Sequence, residues 1–389
     1  MLNIDRNIAT QVIIVLMEVF MSLETEILLK EKKVRKFMKQ NKLDAVMLTK
    51  FNNFAWFTCG GDNHVVTASD FGVVSIIITK DKKYLVASNI EAGRVSDEEI
   101  KGQGFIIKKF NWWEDAEKLK LIKEIVKEGV LGTDDGFAGY SNIDGKFSRL
   151  RFQLTSGEIK RYKWLGRKVG RAMGRVCKKI KKGDSEHKVS GLLAKELYKD
   201  GITPTVLLVA ADERISKYRH PIPTDKKVEK VIMVVVCARK HGLIVSLTRI
   251  VHFGPVSAEL RKKHNAVAKV DAVFNLSSKP GAGIKDIFKK AQDTYKETGF
   301  ASEWTLHHQG GSTGYAGREY RGLPDSAEVV LPNQAFAWNP SITGTKCEDT
   351  IIVRKNKVEF ISQTPGWPMI EVKAGNEKVL RPDILEIQG

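Results

Sequence analysis

Residues 338–353 read Trp-Asn-Pro-Ser-Ile-Thr-Gly-Thr-Lys-Cys-Glu-Asp-Thr-Ile-Ile-Val and end in an apolar run. That run predicts a strand over residues 348–353, and Gly344 predicts a tight turn before it. A glycine turn beside the acidic pair Glu348-Asp349 is typical either of a plain hairpin or of a loop that binds a ligand. The choice between them depends on three stretches upstream.

The first of these stretches, residues 218–224, reads Tyr-Arg-His-Pro-Ile-Pro-Thr. The prolines hold His220 in a rigid, non-helical loop, which suits the presentation of an imidazole, although a surface loop histidine gives the same pattern. The second stretch, residues 231–253, contains two apolar runs that predict an antiparallel hairpin with Arg239-Lys240-His241 in its turn.

The third stretch, residues 306–315, reads Leu-His-His-Gln-Gly-Gly-Ser-Thr-Gly-Tyr. Its glycines allow the backbone to approach a ligand closely. Successive side chains of a strand point to opposite faces, so we expect at most one of His307 and His308 to face a site.

The rest of the chain predicts two domains. Helices and strands alternate over residues 23–155, which predicts a small α/β domain. Residues 156–389 combine long helices with antiparallel strands, which predicts an α+β domain. Residues 1–22 are interpreted as an N-terminal extension before a start near Met21. The predicted helices cover 23–40, 117–128, 156–180, 185–199, 257–275 and 284–298, and the predicted strands cover 43–48, 73–78, 84–88, 105–110, 130–134, 206–210, 231–238, 242–253, 328–338 and 348–353.

Composition excludes several classes of protein. The chain has 389 residues, 42% of them hydrophobic, which is too apolar for intrinsic disorder. Its net charge of +18 comes from dispersed lysines and arginines, so we expect solubility rather than nucleic-acid binding. The four cysteines form no CxxC pair, which favours a reduced, cytoplasmic protein. Residues 12–17 are apolar but far short of a membrane span, so we expect no membrane partner; a membrane-touching helix is the alternative.

The order of the four stretches resembles the "pita-bread" family of creatinase, prolidase, aminopeptidase P and methionine aminopeptidase. Residues 180–186, Lys279-Pro-Gly-Ala282 and the Gly-x-x-x-Glu-Asp-Thr stretch that begins at Gly344 are similar to family phrases, and residues 51–58 resemble the N-terminal domain of the prolidase branch. The resemblance implies an α+β fold, with a pita-bread C-terminal domain after a smaller α/β creatinase-like domain.

The same resemblance implies a metal site whose ligands are largely replaced. The family's two Asp, one His and two Glu fall at Cys237 (or Val235), Ser246, Gly311, Asn339 and Glu348, so only the last Glu is retained. His307 or His308 is an alternative to the missing His. Two hard divalent ions need several anionic oxygens. We therefore expect no cofactor, and no Mn, Co or Zn pair.

Creatinase implies a metal-free alternative, because it resembles these peptidases and uses a histidine as acid and base. His220 matches that histidine, and Arg318-Glu319 matches a step that binds a substrate carboxylate. The two carboxylates that hold creatine correspond to Thr248 and Asn339, which argues against a creatine-like substrate.

The resemblance therefore implies an Xaa-Pro aminopeptidase/prolidase-like protein. The resulting hypothesis is metal-independent hydrolysis of a C–N bond in a small or short-peptide substrate that carries a carboxylate, or else a peptidase homologue that has lost metallopeptidase activity. His220 is then the general acid and base, Glu348 orients His220 or a water, and Arg318 clamps the carboxylate. The other predicted substrate-binding residues are Glu319, His308, Asn339 and Trp56.

Three alternatives stay open. Arg318-Glu319 also fits an internal ion pair, and Glu348 fits a relic bonded to the neighbouring backbone. The chain also fits a non-catalytic module that binds a peptide or an acidic partner. The resemblance implies a homodimer in which one subunit's N-terminal domain caps the other's site, with Trp56 and Asn63 or His64 as candidates for the cap.

Overall fold

The computed structural model describes residues 22–388. The prediction for the apolar stretch at residues 12–17 lies outside this range. The chain divides into two compact units, the second of which is Tyr162–Gly389. The division falls a few residues beyond the predicted boundary, inside a helix. Within residues 22–388, no helix combines the length and the apolar content that a bilayer span requires.

The first unit is an α/β unit, as predicted. Its strands form one six-stranded sheet in the order β4-β3-β2-β1-β5-β6. Short helical turns at Val95–Glu99, Phe137–Gly139 and Ser148–Arg151 complete it. The elements are α1 (Leu23–Gln40), β1 (Ala45–Lys50), α2 (Phe51–Phe57), β2 (Phe71–Thr79), β3 (Lys83–Ser88), α3 (Ala92–Arg94), β4 (Ile106–Phe110), α4 (Asp115–Val126), β5 (Leu131–Thr133), β6 (Ser141–Asn142) and α5 (Asp144–Phe147).

Local chemistry explains why α1 begins where it does. The Ser22 hydroxyl accepts a hydrogen bond from the Thr25 N–H, and the first turn carries Glu24 and Glu26. An N-cap oxygen satisfies a free N–H, and acidic side chains favour the positive end of the helix dipole. The predicted bounds of this helix, residues 23–40, are confirmed.

The second unit contains the long helices and antiparallel strands that the sequence predicts. A helical turn at Glu303–Leu306 precedes its second sheet. The elements are α6 (Ser156–Cys177, which begins before the division), α7 (Glu186–Tyr198), β7 (Thr203–Ala211), α8 (Glu213–Lys217), β8 (Val231–Lys240), β9 (Leu243–Phe253), α9 (Ala258–Ser277), α10 (Ile284–Glu297), β10 (Gly310–Thr313), β11 (Tyr320–Arg321), β12 (Ala335–Trp338), β13 (Ser341–Ile342), β14 (Thr345–Lys346), β15 (Asp349–Val353), β16 (Val358–Phe360), β17 (Met369–Ala374), β18 (Glu377–Pro382) and β19 (Leu385–Ile387).

Two sheets organise this unit. One has the order β19-β9-β8-β7 and the other β11-β10-β12-β15-β16. Every residue of β9 is buried, which is why it reads as a nearly continuous apolar run. Of the predicted site residues, Cys237 lies on β8, Ser246 on β9 and Gly311 on β10, and Asn339 and Glu348 lie directly after β12 and directly before β15.

One predicted strand is shorter than expected. The apolar pattern predicts a strand over residues 328–338, but β12 begins only at Ala335. Pro332 has no N–H to donate, and Asn333 has a φ of 60°, so residues 331–334 form a turn instead.

Candidate active site

The loop that carries His220 is held in place by a buried carboxylate. Glu186 is fully buried, and its oxygens accept hydrogen bonds from the N–H of Ala211 at 2.8 Å and from the N–H and hydroxyl of Thr224, both at 2.8 Å. Arg214 donates to Glu186 at 3.1 Å and to the Ile222 carbonyl at 2.8 Å. The second half of the proline loop is therefore fixed, which limits the positions open to the imidazole.

Arg219, next to His220, fixes the same loop to a second segment. Its guanidinium donates to Glu303 at 2.6 Å and to the Thr343 hydroxyl at 2.8 Å. Glu303 also accepts the Thr343 N–H at 2.9 Å. These bonds place His220 beside the turn that leads from β13 to β14.

Three histidines meet at this point. The Nε2 atoms of His220 and His307 lie 3.1 Å apart, and the His220 ring centroid is 5.0 Å from that of His307 and 5.7 Å from that of His308. The prediction that only one of the adjacent pair faces the site is wrong. Residues 307–309 lie between the helical turn and β10 and are not part of a strand, so strict alternation does not apply to them.

All three imidazoles are held in the neutral form at neutral pH. Burial, with the positive charge of Lys346 second, lowers the pKa of His307 to about 2. Burial, followed by Arg318 and Lys346, lowers the pKa of His308 to about 4. Partial loss of hydration and the charge of Lys346 also lower the pKa of His220, which Glu348 partly opposes. Each ring therefore keeps one nitrogen lone pair for a proton or a ligand.

Glu348 lies fully buried beside these rings and is already shared between several donors. Its Oε2 accepts the Thr248 hydroxyl at 2.7 Å and the Lys346 ammonium at 2.9 Å, and Arg318 lies 3.8 Å from its Oε1. Burial raises the pKa of Glu348, but Lys346, Arg318 and the Thr248 bond outweigh it, so the net shift is downward. The carboxylate is therefore ionised at neutral pH. Its contacts are side chains, unlike those of a relic bonded only to backbone.

The neighbouring Asp349 points the other way, into the core. It lies 2.9 Å from Arg249 and 3.1 Å from Arg381, and the Ser362 hydroxyl donates to it at 2.7 Å. Successive side chains point to opposite sides here, so the acidic pair of the sequence divides into one site residue and one structural residue.

Two predicted substrate-binding residues keep polar atoms without a hydrogen-bond partner. Among the described residues, the Oδ1 of buried Asn339 and the Nε–H of Arg318 have none. Arg318 does donate through Nη1 to the Gly317 carbonyl at 2.6 Å. Buried polar groups are usually paired, so these atoms are candidates for contacts with a bound molecule.

The other predicted contacts lie elsewhere. Glu319 accepts the N–H groups of Tyr315 at 3.0 Å and Ala316 at 3.2 Å, which closes the turn after β10. Trp56 is fully buried in the first unit, where its ring packs edge-on against Phe147 and its carbonyl accepts the Lys30 ammonium at 2.7 Å. With no exposed surface, Trp56 acts as a core residue in this chain.

The two alternative cap residues also lie in the first unit. Asn63 is fully buried and donates to the Thr49 carbonyl at 3.2 Å. The His64 Nδ1 lies 2.7 Å from an Asp62 oxygen. The side chains of all three predicted cap residues are therefore buried, since that of His64 is only 4% exposed.

The residues that the resemblance places at the family's metal-ligand positions do not supply the oxygen donors that a pair of divalent ions needs. The Cys237 Sγ and Ser246 Oγ lie 3.1 Å apart and bond to each other, and burial raises the pKa of the Cys237 thiol. At Gly311, an added Cβ would lie 2.3 Å from the Tyr320 carbonyl oxygen. The one carboxylate, Glu348, is already neutralised by Lys346. Hard divalent ions need several free anionic oxygens, which this set does not supply.

Sequence reasoning missed two important residues. Lys346 is nearly buried, and its charge lowers the pKa of all three histidines, yet in the sequence it looks like an ordinary lysine in a turn. Its one signal is its position two residues before Glu348, which on extended chain places both side chains on one side. In the sequence, Glu186 resembles an ordinary acidic residue in the first turn of a helix, and nothing there shows that it holds the His220 loop in place.

Comparison with known proteins identifies the family. Residues 160–355 match the model of metallopeptidase family M24, and residues 31–162 match that of the creatinase/prolidase N-terminal domain. An uncharacterised peptidase of Staphylococcus epidermidis is 24% identical over 86% of this chain and 99% of its own length. The Xaa-Pro dipeptidase of Pyrococcus furiosus is 24% identical over 85% of this chain and 97% of its own.

Solved structures agree on the fold. The Xaa-Pro dipeptidase from Bacillus anthracis superimposes with a TM-score of 0.73 at 20% identity, over 93% of this chain and all of that one. The predicted α+β pita-bread fold with a creatinase-like N-terminal domain is confirmed. The chain belongs to metallopeptidase family M24, in its creatinase/prolidase branch.

Proposed function

We propose that this chain is a metal-independent hydrolase that cleaves a C–N bond in a small or short-peptide substrate bearing a carboxylate. The observation that carries the proposal is the neutral His220 imidazole, which lies among His307, His308 and the charged group of Lys346, Arg318 and Glu348. A neutral imidazole is a competent base, and the cations beside it suit an anionic substrate.

His220 moves the protons in the proposed reaction. Its lone pair takes a proton from a water molecule, whose oxygen bonds to the substrate carbon. The C–N bond then breaks, and the imidazolium returns that proton to the leaving nitrogen. The histidine ends as it began, and one water is consumed. Positioning by the braced loop contributes because a small displacement of a catalytic group slows a reaction steeply.

The charges of the site support the choice of an anionic substrate. Lys346 and Arg318 share the single carboxylate of Glu348, which leaves one positive charge without a partner in this group. Within residues 22–388 the Nε–H of Arg318 has no hydrogen-bond partner, and a carboxylate accepts two parallel N–H donors from a guanidinium. The Oδ1 of Asn339, which has no partner among those residues, suits an N–H of the same substrate.

The donor set supports metal independence. Glu348 has the role of an ionised, fixed acceptor between Lys346 and Thr248 rather than that of a metal ligand. Its described hydrogen bonds do not include His220, so we propose that it sets the charge and position of Lys346 instead of orienting the imidazole. We further propose that the active form is a homodimer, which sedimentation velocity of the full chain tests. We also propose that the protein is cytoplasmic.

Replacing His220 tests the proposed function. The His220→Gln variant is expected to lose about 100-fold or more in kcat, the usual contribution of general acid–base catalysis. The assay uses Xaa-Pro dipeptides, N-acyl amino acids and carboxylate-bearing amidines in buffer containing a chelator. His187→Gln is the matched control, because His187 is exposed and its ring bonds to Asp225. Equal rates for both variants would remove His220 from the mechanism.

The alternative function is a non-catalytic module that binds a peptide or an acidic partner. The same cationic site supports binding without turnover. If the wild-type chain binds an Xaa-Pro dipeptide in calorimetry but hydrolyses no member of the substrate panel, the binding module is favoured.

A further inference from the structure

We infer that His220, His307 and His308 form a binding site for one transition-metal ion of the zinc class, and that this ion inhibits the hydrolase. The three side chains offer nitrogen atoms that all lie within 4.8 Å of one another. Apart from the alternative that puts His307 or His308 in place of the missing His, this set shares no residue with the Cys237, Ser246, Gly311, Asn339 and Glu348 positions considered above. It is also chemically different, because it supplies neutral nitrogen atoms and no carboxylate.

The distances suit a single ion. Two imidazole nitrogens bound tetrahedrally to one zinc at about 2.0–2.1 Å lie about 3.4 Å apart. The Nε2 atoms of His220 and His307 are 3.1 Å apart, so a shift of a few tenths of an ångström admits the ion between them. His220 is exposed, and its ring adjusts without disturbing a packed core.

The existing hydrogen bonds of these rings give way easily. In the part of the chain that the structure describes, the His308 Nδ1 accepts a 3.3 Å bond from the Gly310 N–H, which is long for a hydrogen bond. The His307 Nδ1 is buried without a hydrogen-bond partner among the described residues. The ion therefore displaces one weak bond and the contact between the His220 and His307 rings, and three metal–nitrogen bonds form.

The surrounding charges select the kind of ion. Lys346 and Arg318 are shared by Glu348, and Arg219 pairs with Glu303 at 2.6 Å, so three cations face two carboxylates. This excess disfavours Mg²⁺ and Mn²⁺, which depend on anionic oxygens. Zn²⁺, Co²⁺, Ni²⁺ and Cu²⁺ bond well to neutral imidazole and tolerate the excess better.

Inhibition follows from the bond that the ion makes to His220. The lone pair that accepts the proton of water in the proposed reaction is the one that binds the metal. A metal-bound imidazole is not a base, so occupancy stops proton transfer. This consequence rests on the proposed function, whereas the binding itself does not.

Co²⁺ titration tests the binding site directly, since bound Co²⁺ in a site of nitrogen ligands gives visible absorption bands. The wild-type chain is expected to bind one Co²⁺, displaced by Zn²⁺ and not by Mg²⁺. His220→Ala is the main variant because its exposed side chain is not needed for folding, and His307→Gln is the second. Each is expected to weaken binding by more than the roughly 10–100-fold lost with an outer-shell partner. His187→Ala is the matched control and is expected to bind as the wild type does.

The outcomes separate the two proposals. Absence of a spectral change in the wild type, or equal binding by the wild type and His220→Ala, overturns the metal site. One bound ion together with faster turnover on adding Zn²⁺ supports the site but overturns its inhibitory role and the metal-free mechanism. One bound ion with turnover that falls as Zn²⁺ binds supports both.

Discussion

At the scale of single residues, the role of a charged side chain depends on which oppositely charged neighbours pair with it. Glu348 and Asp349 are adjacent in sequence, yet one lies with Lys346 and the other with Arg249 and Arg381. The sequence predicts the acidic pair but not this division, because the neighbours come from strands far away along the chain. His307 shows the same limit, since it takes part in the site only because the backbone there is irregular.

The pH dependence of the reaction tests the role assigned to Lys346. Activity that depends on neutral His220 rises with pH through the pKa of that histidine, which lies below the ordinary 6.5. Burial and Lys346 both lower this pKa, so Lys346→Gln is expected to raise it and to move the acidic limb of kcat/KM to higher pH. The measurement is the pH profile of kcat/KM with a chelator present.

The control for this profile is Lys289→Gln. Lys289 is exposed on α10 and pairs with Asp293, and it is expected to leave the limb unchanged. An acidic limb in the same place for Lys346→Gln and the wild type would contradict the electrostatic account.

At the scale of elements, the helix α6 shows how a glycine pattern sets packing. Gly166 and Gly170 are one turn apart, and an added Cβ would lie 2.0 Å from the Ile361 carbonyl oxygen at the first and 2.2 Å from the Gln363 carbonyl oxygen at the second. The missing side chains let the segment after β16 lie directly on the helix. The periodicity of the sequence predicts the helix, but the spacing of the glycines does not show which segment packs on it.

Replacing one of these glycines tests that packing. Gly170→Ala is expected to lower the free energy of unfolding by about 1–3 kcal/mol, because a backbone carbonyl cannot move aside as a flexible side chain can. Gly191→Ala on α7 is the matched control, since nothing lies within 4 Å of its added Cβ. Alanine is the better helix former by about 0.5–1 kcal/mol, so the control is expected to gain stability.

Urea unfolding of both variants measures the difference. The two substitutions are chemically identical and both lie inside helices, so helix propensity acts equally on both. Only Gly170→Ala also meets a backbone carbonyl, so the two changes in the free energy of unfolding are expected to differ in sign. A loss of stability in Gly191→Ala equal to that in Gly170→Ala would show that contact with residues 361–363 is not the cause.

At the scale of the whole molecule, the order of motifs predicts the fold although each motif alone is ambiguous. The closing stretch at residues 338–353 becomes β13 to β15, and the hairpin at residues 231–253 becomes β8 and β9. These elements place Cys237, Ser246 and Glu348 around one region. The burial of Trp56 could not be predicted, because packing of α2 against its own sheet and helix depends on the complete fold.

The charge of +18 gives a prediction for the whole chain. Many of its lysines and arginines are paired with carboxylates on the surface, as in Lys168–Asp200 and Arg175–Glu196. We therefore expect only weak, sequence-independent DNA binding. Fluorescence anisotropy with a labelled duplex is expected to show binding at low salt that disappears near physiological ionic strength. Binding that persists there would favour a nucleic-acid partner.

The most direct test of metal-independent hydrolysis is the turnover rate of the metal-depleted full chain. The rate is measured on the substrate of the panel that the wild-type chain hydrolyses, after dialysis against a chelator and again after addition of Mn²⁺ or Co²⁺. The account predicts full activity in the depleted protein, no gain with Mn²⁺, and a loss when Co²⁺ occupies the three histidines. Activity that disappears with the chelator and returns with Mn²⁺ would contradict it.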